Sequence, residues 1–220
     1  MNLAHQYFDY QTMINSLPIL WKGLKMTLLI CAAVIPLGLL GGLVVALGRQ
    51  TRLTAVRITV IAFIDLFRAL PPLFLLILLY AGLPFMGVRL SPFSCVCVAF
   101  LLNTSAYYGE VYRAGLESVG RGQREAARST GLSYMQTMLF VVLPQAIRNV
   151  LPDLVSNTVE VVKMTSLASV VALPELLYSA DMARAATLNS SPIVLAAAIY
   201  LAILWPIIRL ASRLEHRLGH

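Results

Sequence analysis

Charge is scarce in this chain. Only 12% of its 220 residues are Asp, Glu, Lys or Arg, against about 25% in a soluble domain. That shortage excludes a soluble helical fold with an ordinary polar surface. Lysine is rarer still: Lys22, Lys25 and Lys163 are the only three, followed by Gly23, Met26 and Met164. A phosphate-binding loop needs a lysine followed by Ser or Thr, so no nucleotide site is expected, and any catalysis belongs to another polypeptide. The histidines, His5, His216 and His220, sit near the termini, which leaves no membrane-embedded pair for metal or base chemistry. Cysteine is limited to Cys31, Cys95 and Cys97, all in apolar runs. An odd number there argues against a disulfide framework, and Cys95-Val96-Cys97 has no histidine nearby in sequence to complete a metal site. Lys163 and Ser166 are helix neighbours without an obvious oxyanion site. Met1 to Leu20 has neither the basic start nor the apolar core of a cleavable signal. No catalytic residue, metal or cofactor is expected.

What the chain has in abundance is apolar length. Hydrophobic residues make up 59% of it, and Met26 to Gly48, Ala69 to Val88, Leu90 to Gly109 and Ala185 to Ile208 carry no charge. A helix needs about 20 apolar residues to cross the hydrocarbon core. The expected fold is all-α, a polytopic membrane protein with about five spans: 24–47, 56–79, 93–111, 145–172 and 192–211. Residues 1–20 read as an amphipathic lead-in, and Pro174 to Ser191 as a polar loop. Leu70-Pro71-Pro72 interrupts the second span, and such a break in lipid requires neighbours or water to satisfy the freed carbonyls. Gly38, Gly41 and Gly42 allow close helix packing.

The net charge of +7 lies between apolar runs, where it reports topology rather than nucleic-acid binding. With the N-terminus outside, the inner side receives Arg49, Arg52, Arg57, Arg113, Arg121, Arg124, Arg128, Arg209, Arg213 and Arg217. The outer side receives Lys22, Lys25, Arg89 and Arg184. That ten-to-four bias predicts N-out and C-in.

Residues 113–144 are the longest polar passage and fall on the predicted inner side. Ser118 to Thr130 reads as a helix with Arg121 and Glu125 at i,i+4 and Glu125 and Arg128 at i,i+3. Ala126 and Ala127 form a narrow side that another protein's groove could admit. Gly131 ends the helix as a C′ glycine does. Ser133 caps a second, interfacial helix, which Leu143-Pro144 stops. Either a docking element or a solvated loop helix fits this pattern.

The spelling of that passage resembles a known family. Glu125, Ala126, Ala127, Gly131, Val141, Leu143 and Pro144 are similar to the EAA loop of permease subunits of bacterial ABC importers, with Val141 where Ile is usual. Ser105-Ala106-Tyr107, Glu110, Arg113, Gly115, Ser118-Val119, Gly122-Gln123, Phe67-Arg68, Pro71, and Lys163 with Thr165-Ser166-Leu167 resemble its polar amino-acid branch. Gly120 and Ala69-Leu70 depart from that branch. The resemblance implies a type I importer permease in the bacterial inner membrane. Its expected partners are an ATPase subunit pair that receives the docking helices, a second permease subunit, a periplasmic solute-binding protein and an amino-acid substrate.

Ionisable residues inside spans are functional-site hypotheses. Asp153, Asn157, Glu160 and Met164 share one helix face, and Lys163 lies at i+3 from Glu160. These residues either line a pathway or hold helices in register as an ion pair. Asp65 and Arg68 form a second i,i+3 candidate, with a structural or pathway role. An ion-coupled secondary transporter or channel would share the broken helix and the carboxylate without needing the 125–144 element. A membrane scaffold would need that element but not the polar stripe.

Overall fold

A computed structural model describes the backbone of residues 3–218 and the side chains of residues 5–213. Arg217, counted above on the inner side, and His216 lie outside the described side chains. The described residues form helices α1 (Leu3–Tyr7), α2 (Tyr10–Arg49), α3 (Thr54–Ala69), α4 (Pro72–Ile77), α5 (Pro92–Ser118), α6 (Arg121–Ser129), α7 (Tyr134–Thr137), α8 (Leu143–Met164), α9 (Leu176–Thr187) and α10 (Ser191–Leu218).

α2 and α5 form the spine. They run parallel, and small residues let them touch. A Cβ added to Gly42 would lie 2.5 Å from Tyr108 Cβ, and one added to Gly109 would lie 2.5 Å from Val45 Cγ1. Such contact draws the backbones together where lipid offers no hydrophobic drive. α8 packs antiparallel to α5, with Gly115 against Val150. The main core joins α2, α4, α5 and α8 through Ile30, Val34, Leu76, Cys95, Phe100 and Val161. Cys31, Cys95 and Cys97 are free thiols.

Three sequence expectations need revision. First, no separate lead-in ends at Leu20. α2 starts at Tyr10, capped by the Asp9 side chain on Thr12 N, and runs unbroken into the span. Its early residue Leu20 is fully buried with Leu176, Ala180 and Ala196, so this segment packs on α9 and α10. Second, Pro174–Ser191 is not a loop: α9 fills most of it, started by the Glu175 side chain on the amides of Leu177 and Tyr178. Third, Leu143-Pro144 does not stop a helix. The chain passes from α7 through a π turn, Met138–Val142, into α8. A π turn pairs each N–H with a carbonyl five residues back. It therefore bypasses the donor that Pro144 lacks, and the Gln145 side chain donates to Val141 O at 2.8 Å.

The Pro71-Pro72 break appears as a turn of 100° between α3 and the segment that starts with α4. Leu70 is extended there, as a residue before proline tends to be. Among the described residues, three helices are long and apolar enough to cross a membrane, or four if the bent pair counts as one span. α5 is not among them, because its second half carries Asn103, Thr104, Ser105, Tyr107 and Tyr108. Of these, all but Tyr107 are buried inside the molecule.

Candidate functional site

A cavity of about 410 Å³ opens between α4, α5 and the end of α8. α8 contributes Asn157, Glu160, Val161, Lys163 and Met164. These positions recur at helical spacing and so share a face. Lys163 Nζ donates to Glu160, closing a pair whose side chains remain 48% and 68% exposed. An ammonium and a carboxylate thus stand side by side, each with unused capacity. Opposite them, α5 presents Asn103, Thr104, Tyr107 and Tyr108, while Pro72 and Leu167 close the apolar edges. Tyr108 and Thr158 hydroxyls lie 2.9 Å apart, and Thr158 donates to Leu154 O at 2.8 Å, so the shared proton comes from Tyr108.

The predicted stripe is only partly gathered here. Asn157, Glu160, Lys163 and Met164 line the cavity; Asp153 does not. Its backbone carbonyl accepts from Asn157 Nδ2 at 2.9 Å, which fixes the asparagine. Asp65 and Arg68 are also outside the lining and do not pair. Arg68 reaches instead to Glu110 at 3.6 Å and lies over the Tyr107 ring at 5.3 Å.

Sequence reading missed the α5 wall. Asn103 has a further task beyond facing the cavity. Phe67 O would normally accept from the amide of residue 71, which is a proline. Asn103 Nδ2 supplies the missing donor at 2.9 Å. The signal was available: two prolines orphan two carbonyls, and a membrane-embedded Asn is a candidate donor.

It also missed a charged cluster. Glu110 on α5 binds Arg49 at the end of α2 at 2.7 Å, Arg113 at 3.0 Å and Arg68 at the end of α3 at 3.6 Å. Arg113 pairs with Glu117 as well. Arg113, a permanent cation as any arginine is, thus bridges the two carboxylates along α5.

At the same end of the molecule lies the α6–α7 element. Its first helix is shorter than predicted. α5 ends at Ser118, Val119 is extended, and α6 begins only at Arg121. Gly131 has φ +87 and Ser133 caps α7, both as the sequence predicts, and Gln136 returns the bond to complete a capping box. Arg121, Glu125, Ala126 and Arg128 are exposed, but Ala127 is buried. Consecutive helical residues point about 100° apart, so when α6 packs on the π turn one alanine of the pair must face inward. Neither predicted pair, Arg121–Glu125 nor Glu125–Arg128, closes among the described residues. Arg124 instead donates to Leu116 O, and Asn149 Nδ2 donates to Ser118 Oγ at 2.8 Å. The first bond anchors α6 to α5, the second ties the end of α5 to α8 beneath it, and neither uses the outer face of α6.

A bundle of apolar helices flanked by an open cavity with charged and polar groups on its wall, with a short charged helix at one end, fits the class of membrane transport subunits. The chain belongs to the family of binding-protein-dependent transport system inner membrane components, whose model matches residues 34–220. Among curated relatives, a probable amino-acid ABC transporter permease protein, YckA of Bacillus subtilis, is 38% identical over 80% of this chain and 77% of its own length. A probable glutamine ABC transporter permease protein, GlnP of the same organism, is 36% identical over 91% of this chain and 94% of its own. Among solved structures, an amino acid ABC transporter crystallised with histidines superposes with a TM-score of 0.89 at 32% identity, covering 94% of this chain and 98% of that one. The inward-facing MetNI methionine transporter shares the fold, with a TM-score of 0.66 at 18% identity.

The chain is therefore a multi-pass inner-membrane permease subunit with an all-α importer fold. It is not itself an enzyme: in this family ATP hydrolysis lies on a separate subunit, and a binding protein delivers the solute. The ion-coupled transporter and the passive scaffold are set aside by that membership.

Proposed function

We propose that this permease carries a polar amino acid, and that the cavity between α5 and α8 is part of its path. The observation that carries this reading is the Lys163–Glu160 pair lining a 410 Å³ cavity, a size within the usual range for small-ligand sites. An amino acid's carboxylate and ammonium would exchange with the pair, each charge trading one partner for another instead of being stripped bare. The names of the relatives support the substrate class.

In this reading α2, the bent α3–α4 pair, α5, α8 and α10 are five spans. α5 crosses despite its polar half because that half faces the cavity and α2 rather than lipid. The arginine bias supports an outside N-terminus, which puts α6 in the cytoplasm. There Arg121, Glu125, Ala126, Arg128 and the Gly131 bend dock on one ATPase subunit, while Ala127 holds the helix to its own chain. Two permease subunits, identical or related, and two ATPase subunits complete the transporter.

Glu160→Gln in the assembled transporter tests the pathway. Uptake should fall at least about tenfold while membrane insertion and ATPase assembly persist. Wild-type uptake kinetics in that variant would remove Glu160 from the path.

A further inference from the structure

Glu175 is fully buried, with 0% exposure, yet it takes no part in the cavity or the docking element. Three donors converge on its carboxyl group. Leu177 N and Tyr178 N reach it at 2.9 and 2.7 Å, and Tyr200 Oη on α10 donates at 3.1 Å. The remaining free amide of this first turn, Leu176 N, donates to Thr27 Oγ1 of α2 at 3.1 Å. Three elements therefore meet at one helix start. A buried carboxyl is costly unless its acceptor sites are filled, so the arrangement has little tolerance for displacement.

Tyr200 extends the junction to a fourth element. Its oxygen lies 3.4 Å from Thr165 Oγ1. With the Tyr200 proton on Glu175, Thr165 is the donor across this contact, its hydroxyl shared with Val162 O at 2.7 Å as in a three-centre bond. The phenol oxygen is thus seated between Glu175 and the first residue of the 3₁₀ segment Thr165–Val171. That segment carries Leu167, and Lys163 just precedes it; both line the 410 Å³ cavity. Behind them, Lys163, Ser166, Leu177 and Tyr200 border a second cavity of about 270 Å³. Lys163 therefore borders both cavities and shares the second with Tyr200.

We infer that Glu175 is a positioning residue of the transport cycle: by capping α9 and holding Tyr200, it sets the place of the 3₁₀ segment that bears the cavity wall. This rests on the cavity lying in the transport path. The cap and the link can be separated. Tyr200→Phe removes the link and keeps the cap. Glu175→Asp does the same from the other end, since Asp is a good N-cap but one methylene too short to reach Tyr200.

The test uses the complete transporter, with its ATPase and binding protein, in proteoliposomes. Each single variant should assemble at wild-type level and show faster amide exchange across Thr165–Val171. Each should lower the kcat of uptake about tenfold, with KM within about twofold. The double variant should be no slower than either single one, because both cut the same link. Wild-type exchange or wild-type kcat in Tyr200→Phe, or additive losses in the double variant, would overturn the inference. Glu160→Gln measured alongside keeps the two questions apart: normal uptake there removes the pathway reading, whereas the exchange data judge the Tyr200 link alone.

Discussion

At the scale of single residues, Asn103 shows how one side chain serves both the fold and the cavity. Its amide donates to Phe67 O at 2.9 Å, at the carbonyl left open by Pro71, and its residue faces the space opposite Glu160 and Lys163. Asn103→Leu fills similar volume but leaves that carbonyl without a donor. A buried, unsatisfied backbone acceptor costs about 1–3 kcal/mol. We expect a loss of that size in thermal or denaturant unfolding of the detergent-solubilised protein. Asn103→Gln should behave in the same direction but less severely, since it keeps a donor at a different reach. Equal stability of Asn103→Leu and wild type would mean that water already satisfies Phe67 O. The need for a donor was legible in the Pro-Pro pair. Its identity was not, because the two residues are 36 apart and only the packing of α3 against α5 brings them together.

Among elements, the α6–α7 passage was the most legible part of the chain. Gly131 and Ser133 are local signals, and local signals survive without tertiary knowledge: φ is positive at Gly131 and the Ser133–Gln136 capping box is formed. Where reading failed, a neighbour decided the outcome. Ala127 turns inward because the π turn lies beside α6. Pro144 does not stop a helix because that same π turn shifts the bonding pattern. α9 was hidden because its start depends on a carboxyl that sequence polarity places in a loop. At Gly131 no atom lies within 4 Å of an added Cβ, so the cost of substitution is conformational and not steric. Holding an L-residue in that left-handed geometry costs about 1–2 kcal/mol. Gly131→Leu should straighten or shift the α6–α7 bend and lower uptake, whereas Gly131→Asn, which tolerates the geometry, should retain most of it. Survival of both uptake and ATPase co-purification in Gly131→Leu would refute the docking role.

For the whole molecule, the question is what keeps α2, α3 and α5 together at the end that bears α6. The apolar core lies mostly nearer the other end, among Ile30, Leu76, Cys95 and Phe100. Toward the α6 end the helices are tied by charge: Glu110 joins Arg49, Arg68 and Arg113. Nothing in local sequence announces this, since Arg49 and Glu110 are 61 residues apart and Arg68 has a nearer acid, Asp65, which it does not use. The strength of each tie follows from distance and burial. Arg49 is 29% exposed at 2.7 Å from Glu110, itself 16% exposed, whereas Arg68 is 43% exposed at 3.6 Å. Exposed pairs contribute about 0–1 kcal/mol, and breaking fully buried ones costs about 3–5 kcal/mol. Glu110 sits between these limits, so Glu110→Gln should destabilise the solubilised subunit by about 2 kcal/mol, as three guanidinium groups lose their shared carboxylate. Arg49→Gln should cost less, because Arg68 and Arg113 keep Glu110 paired. Arg68→Gln should cost least, since its tie is the longest and most hydrated. Unfolding midpoints of the three variants at one ionic strength would give the order. If Arg68→Gln proved the most damaging, the packing of Arg68 over Tyr107, rather than the charge on Glu110, would be what holds α3 to the bundle.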